Sequence, residues 1–180
     1  DGDKGFRGHA RALLREGRLT TGMVKAVGLA LLSLAVSLYI ARGEGRILEA
    51  LVGAPMLALS TNAVNLLDLR PGRAIKFFIF LSFLAVPFAF HQALCFAPVV
   101  GAALFLYGQD VRERCMLGDV GSNLLGFFWG VVVLHTAPLW FQMLLCIGLV
   151  LLHLYAEKGS ISSFIEQVGW LRRLDAWGRR

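Results

Sequence analysis

Two short stretches carry the residue types that handle phosphates and divalent cations. They are "NAVNLLD", Asn62 to Asp68, and "GDVGSNLLGF", Gly118 to Phe127. Asn62 and Asn65 are three apart, so on a helix they share a face that Asp68 extends by a further turn. Removing two amides and a carboxylate from water is unfavourable unless they meet partners or a water-filled cavity. Interhelical hydrogen bonds and a helix-terminal aspartate satisfy that requirement without any ligand. An active-site wall satisfies it too. Asp119 precedes an apolar run, where a carboxylate meets the positive end of the helix dipole and can simply cap it. The same position suits Mg²⁺, which takes one or two carboxylates together with substrate phosphate oxygens. Gly118, Gly121 and Gly126 permit close backbone approach.

A third cluster is the polar opening, "DGDKGFRGHARALLREGRLTTGMVK", which contains His9 and Lys25. Its cations suit an anionic substrate such as a nucleotide diphosphate. Cations beside a first membrane helix also set topology or bind anionic lipid. His91, His135 and His153 lie in or beside apolar runs and read as structural. Cys95, Cys115 and Cys146 are widely spaced, without metal or redox spacing, and read as small apolar core residues.

The elements that position these clusters follow from composition. The chain has 180 residues, 57% hydrophobic and 17% charged, with a net charge of +6. A soluble domain of this size cannot hide so much apolar surface, so the expected class is an all-α polytopic membrane protein. The basic residues lie between apolar runs, which argues for membrane orientation and against a nucleic-acid face. Expected spans are Gly22–Ala41, Ile47–Leu67, Phe77–Phe90, Ala93–Tyr107, Ser122–Thr136 and Trp140–Tyr155. As one helix, residues 77–107 would reach roughly 46 Å, against a bilayer core of about 30 Å. Pro87, His91, Gln92 and Pro98 therefore mark a turn within it. The expected organisation is a single membrane domain over 1–180: a cytoplasmic segment 1–21, transmembrane helices over 22–155, and a basic cytoplasmic tail 156–180 that suits an interfacial amphipathic helix.

Lysine and arginine test that division. Six spans place sixteen on one side (six up to Lys25, three at Arg70, Arg73 and Lys76, two at Arg112 and Arg114, five in the tail) and only Arg42 and Arg46 on the other. Such a bias marks the cytoplasmic side. Topology accounts for most of the Arg70, Arg73 and Lys76 charge, while Asp68, Asp119 and the N-terminal segment share that face.

Together these residues resemble the polyprenyl-phosphate N-acetylhexosamine-1-phosphate transferase superfamily, which includes the phospho-N-acetylmuramoyl-pentapeptide transferase of peptidoglycan synthesis. "NAVNLLD" resembles its N-x-x-N-L-x-D loop motif, and "GDVGSNLLGF" its G-D-x-G-S-x-x-L-G motif, whose aspartate binds magnesium. Lys25 resembles the lysine that follows the family's paired aspartates. The likeness runs from about Lys25 to Phe127 and implies transfer of a phospho-sugar from a UDP-sugar to polyprenyl phosphate with release of UMP. It implies a bacterial multi-pass plasma-membrane protein of cell-envelope synthesis, with Mg²⁺ at Asp119. Asp68, Asn65 and Lys25 would be catalytic. Asn62, Arg70, Gly118, Ser122 and His9 would contact substrate. Membrane lipid and a second copy, as a homodimer, complete the expected partners.

The sequence also departs from that pattern. Asp1 and Asp3 are not adjacent, so a fragment of a longer protein whose paired aspartates lie upstream is the expected explanation; a processed or engineered start is the blander one. Pro71 stands where the family continues with another acid. Met116 replaces an aromatic residue, and "EKGSISSFIEQ" occupies the region of a histidine-rich loop. These departures suit a second reading, a non-catalytic homologue that binds polyprenyl-linked precursors or scaffolds envelope assembly. A small transporter is a third, although no inverted repeat with matching broken helices is present.

Overall fold

The structure, a computed structural model, describes residues 21–42, 46–90 and 93–179. Every regular element among them is a helix: α1 (Thr21–Ala41), α2 (Ile47–Leu67), α3 (Arg73–Ala89), α4 (Ala93–Asp110), α5 (Gly118–Thr136), α6 (Leu139–Lys158), α7 (Ile161–Gln167) and α8 (Gly169–Ala176). The six long helices occupy the six expected stretches. Helix α3 begins at Arg73, and α4 runs on to Asp110, one turn beyond its expected end. Helix α5 begins at Gly118, which brings Asp119 into its first turn. The tail forms two short helices, not one. Val168 is extended between them, with Gly169, a poor helix former, starting the second.

Helices α1, α2 and α6 are long and apolar enough to cross a membrane. The packing of α1 inverts the soluble pattern, and α6 also turns a large apolar row outward. The buried residues of α1 are Ser33 and Ser37, while Val27, Leu31, Leu34 and Leu38 point outward. On α6 the outward row includes Leu144, Ile147, Leu151 and Leu154. Small residues inside and large apolar residues outside are what a lipid solvent favours, because close backbone approach and interhelical hydrogen bonds then drive association. Several such bonds join helices among the described residues, three of them within the bundle core. Ser37 Oγ donates to the Ala50 carbonyl at 2.9 Å, Ser60 Oγ to the Gly126 carbonyl at 3.2 Å, and Trp129 Nε1 to the Leu81 carbonyl at 2.7 Å. Cys115 and Cys146 are free thiols and only half-buried: Cys146 borders the core from α6, whereas Cys115 lies in the turn before α5 and not in the core expected for it.

Helix α2 is central and packs most closely on α5. Gly126 and Gly130 make that contact. A Cβ at Gly126 would lie 2.6 Å from the Ser60 carbonyl oxygen and 2.7 Å from Thr61 Cα, and one at Gly130 2.7 Å from Leu57 Cδ1. Gly53 faces Leu134 in the same way. The pairs 53–134, 57–130 and 60–126 thus descend one helix as they climb the other, in a fixed antiparallel register.

Candidate functional site at the adjoining ends of α2 and α5

Continuing that register by one turn sets Asn65 opposite Ser122, and by another Asp68 opposite Gly118. Both contacts are present. Ser122 Oγ donates to Asn65 Oδ1 at 2.9 Å, with its own Gly118 carbonyl at 2.9 Å as the competing acceptor. One hydroxyl proton serves one acceptor at a time, so each alternative leaves an oxygen free to take a donor. Asp68 ends α2, its backbone N–H donating to the Asn65 carbonyl at 3.1 Å, and its carboxylate accepts the Gly118 N–H. Gly118 has φ +66 and open space where a Cβ would stand, so backbone conformation, not crowding, selects glycine there.

Asp119 projects from the first turn of α5 toward α1, where Lys25 Nζ approaches it at 3.1 Å. Both side chains are exposed, at 66% and 70%. Burial pushes the Asp68 carboxyl above its usual range, and the charges of Asp110 and Asp119 push it further the same way; the Gly118 N–H opposes them. Asp110 was not singled out by its sequence position, which reads as loop. It is 4% exposed at the end of α4 and accepts the Gly72 N–H at 2.7 Å. An acid standing among the loop's cations was the available signal.

Other expected residues have different partners. Asn62 turns from α5 to α6. Its Nδ2 lies 2.9 Å from His153 Nε2, and His153 Nδ1 lies 2.7 Å from the Leu149 carbonyl. A carbonyl can only accept, so Nδ1 carries the proton and Nε2 accepts from the Asn62 amide. Both ring nitrogens of His153 are thus engaged within the bundle. Arg70 pairs with Glu166 of α7. His9 lies outside the described residues.

The cations assigned to topology do more than set orientation. Arg73 is buried, its Nε 2.7 Å from Asp175 Oδ1 and a terminal nitrogen 2.9 Å from Oδ2, with another nitrogen donating to Ser162 Oγ at 2.9 Å. Lys76 Nζ donates to the carbonyls of Leu174, Asp175 and Trp177 at 3.0, 2.7 and 3.0 Å, satisfying the C-terminal end of α8. Burial opposes ionisation of Asp175, but hydrogen bonds from Arg73 and Arg179 outweigh it and hold the carboxyl at about 2.

Among the described residues no three His, Cys, Asp or Glu side chains gather closely enough to hold a metal unaided. Mg²⁺ asks for less, one or two carboxylates with the remaining oxygens from phosphate and water. Asp119, exposed and within electrostatic reach of Asp68, fits that donor set. A polar cleft of about 560 Å³ lined by Val111, Arg112, Glu113, Arg114 and Gly178 opens beside the loop after α4. An apolar cleft of about 240 Å³ between α3 and α4, lined by Phe83, Val86, Phe90 and Val100 among others, lies toward the opposite end of those helices. In comparisons with protein-family models, curated proteins and solved structures, nothing matches this chain.

Proposed function

We propose that this chain is the membrane portion of a Mg²⁺-dependent transferase that moves a phospho-sugar from a UDP-sugar to polyprenyl phosphate at the cytoplasmic face. The observation that carries the reading is the α2–α5 register. It brings two motifs about fifty residues apart in sequence to one helix-end constellation, with Asn65 on Ser122, Asp68 on Gly118 and Lys25 on Asp119. In the six-span reading, the lysine and arginine bias puts that end on the cytoplasmic side, at the interface where a soluble, doubly charged donor would meet a lipid-borne acceptor.

In this reading an oxygen of the lipid phosphate attacks the sugar-bearing phosphorus of the donor. A new P–O bond forms, the bond to the bridging oxygen breaks, and UMP leaves with that oxygen and the electron pair. Asp119 would hold Mg²⁺, which would supply charge compensation for the diphosphate. Lys25, freed from Asp119 by the incoming anion, pairs with a phosphate oxygen. Asp68, its carboxyl raised, takes a proton from an acceptor phosphate that arrives singly ionised, and the Asn65–Ser122 bond holds the two helix ends that carry Asp68 and Asp119 together.

The experiment is Asp119→Asn in the intact protein, assayed for Mg²⁺-dependent UMP release from UDP-N-acetylhexosamines with polyprenyl phosphate. Loss of turnover with the fold retained is expected. Turnover like that of the unmodified protein overturns the metal role. Pro71, at a position where the resembled family has an acid, favours the second reading of a lipid-precursor-binding homologue. Polyprenyl phosphate binding by the unmodified protein without turnover of any donor selects that reading.

A further inference from the structure

The tail presents two opposite faces. Asp175 points inward and is 8% exposed, gripped by Arg73 and Arg179, while Lys76 holds the adjacent carbonyls and Tyr107 Oη donates to the Trp177 carbonyl at 3.0 Å. Trp170, Leu174 and Trp177 follow an i, i+4, i+7 spacing and are 68%, 55% and 69% exposed. At 3.6 residues per turn, that stripe is about 140° round the helix from Asp175. The clamped face therefore forces the aromatic face outward.

We propose that α7 and α8 form a surface anchor, with Trp170, Leu174 and Trp177 seated in the headgroup layer of the leaflet that holds the candidate site. Three observations select lipid as the occupant. The apolar helix α6 passes into α7 through Gly159 and Ser160 alone, and the Tyr155 ring packs edge-on against Phe164 at 5.4 Å, so the tail starts where the bundle leaves the membrane. Tryptophan, with an apolar body and an N–H at its rim, is the side chain enriched at that depth. Charge is complementary as well. From Lys158 to Arg179 the acids are Glu166 and Asp175, both already paired, whereas Arg173 is exposed and borders the stripe, where it meets an anionic leaflet. The anchor grips Arg70 and Arg73, so it ties the membrane surface to the turn that follows Asp68.

The inference rests on the membrane reading and is independent of the transferase reading. The test uses the protein in phosphatidylcholine–phosphatidylglycerol vesicles, comparing tryptophan fluorescence of the unmodified chain with Trp170→Phe/Trp177→Phe. The difference between the two isolates the tail signal. It is expected to be blue-shifted and quenched several-fold more by lipids brominated near the headgroup than by aqueous acrylamide. A difference signal quenched mainly by acrylamide places the stripe in water and overturns the proposal. A signal shielded from both quenchers means that protein, such as a second copy, covers the stripe, and overturns it equally. The fluorescence remaining in the double variant includes exposed Trp140 at the start of α6. Its quenching by bromolipid shows that the bundle is inserted, so failure of the tail and failure of the membrane reading give different results.

Discussion

Lys25–Asp119 and Arg73–Asp175 are both cation–carboxylate pairs joining distant segments at the same end of the bundle, yet they differ in solvent. The first pair is 70% and 66% exposed with one contact at 3.1 Å; the second is 5% and 8% exposed, bidentate and supported by Ser162. Water screens the first, so little stability is lost when a ligand pulls it apart. Desolvation makes the second costly to break from either side, because whichever charge remains is left buried. One pair is suited to exchange partners, the other to hold an element in place. The acids near the site follow the same division: burial and like charge keep Asp68 reluctant to ionise, whereas Arg73 and Arg179 hold Asp175 ionised.

The comparison is broken most directly at the buried pair. Asp175→Ala should cost about 3–5 kcal/mol by stranding the Arg73 guanidinium, and should release the tail to protease well before the bundle unfolds. Arg73→Met combined with Asp175→Leu should recover much of that loss, read in the same proteolysis assay. Gly126→Val comes next. It drives a side chain into the Ser60–Thr61 backbone and should lower thermal stability by about 3 kcal/mol or more, since backbone cannot yield as a side chain can. Acid tests the buried pair without mutation. The Asp175 carboxyl sits at about 2 when folded, below its ordinary 3.8. Ionisation thus favours the docked tail by about 2 kcal/mol. That contribution is complete above about pH 4 and disappears as pH falls through 2, so tail protection should fade across that interval.

The remaining variants sharpen the contrast through small effects. Asn65→Ala should cost about 1 kcal/mol for the bond to Ser122 while removing activity far more than stability. Lys25→Gln should leave the melting temperature nearly unchanged, within about 1 kcal/mol, and still weaken donor binding, read as a raised KM. A comparable loss of stability for Lys25→Gln and Asp175→Ala would erase the distinction between the two pairs.

The six long helices were legible in the sequence because apolar runs bounded by Gly, Pro and charge are set by one-dimensional composition. Asn65 and Asp119 were legible as polar groups at helix ends, but their meeting was not. That depends on Gly53, Gly126 and Gly130 fixing which turn of α2 faces which turn of α5, a property of two distant segments at once. The tail clamp was hidden for a similar reason. Arg73 and Lys76 sit in a basic loop where orientation already explained them, and only tertiary contact shows Arg73 buried against Asp175. Asn62 illustrates the converse: sharing a face with Asn65 did not mean sharing a partner, because that face borders α5 and α6 together.

The glycine contact between α2 and α5 also limits how the molecule can work as a machine. With the backbone of Ser60 and Thr61 pressed into the gap at Gly126, the two helices mesh like a rack without slack, and sliding by less than a full turn is sterically blocked. They form a single spine, which holds the Asn65–Ser122 contact and the carboxylates at their ends in one register. Any widening there must come from side chains at its rim, and the Lys25–Asp119 corner, closed by one water-screened contact, is where it costs least.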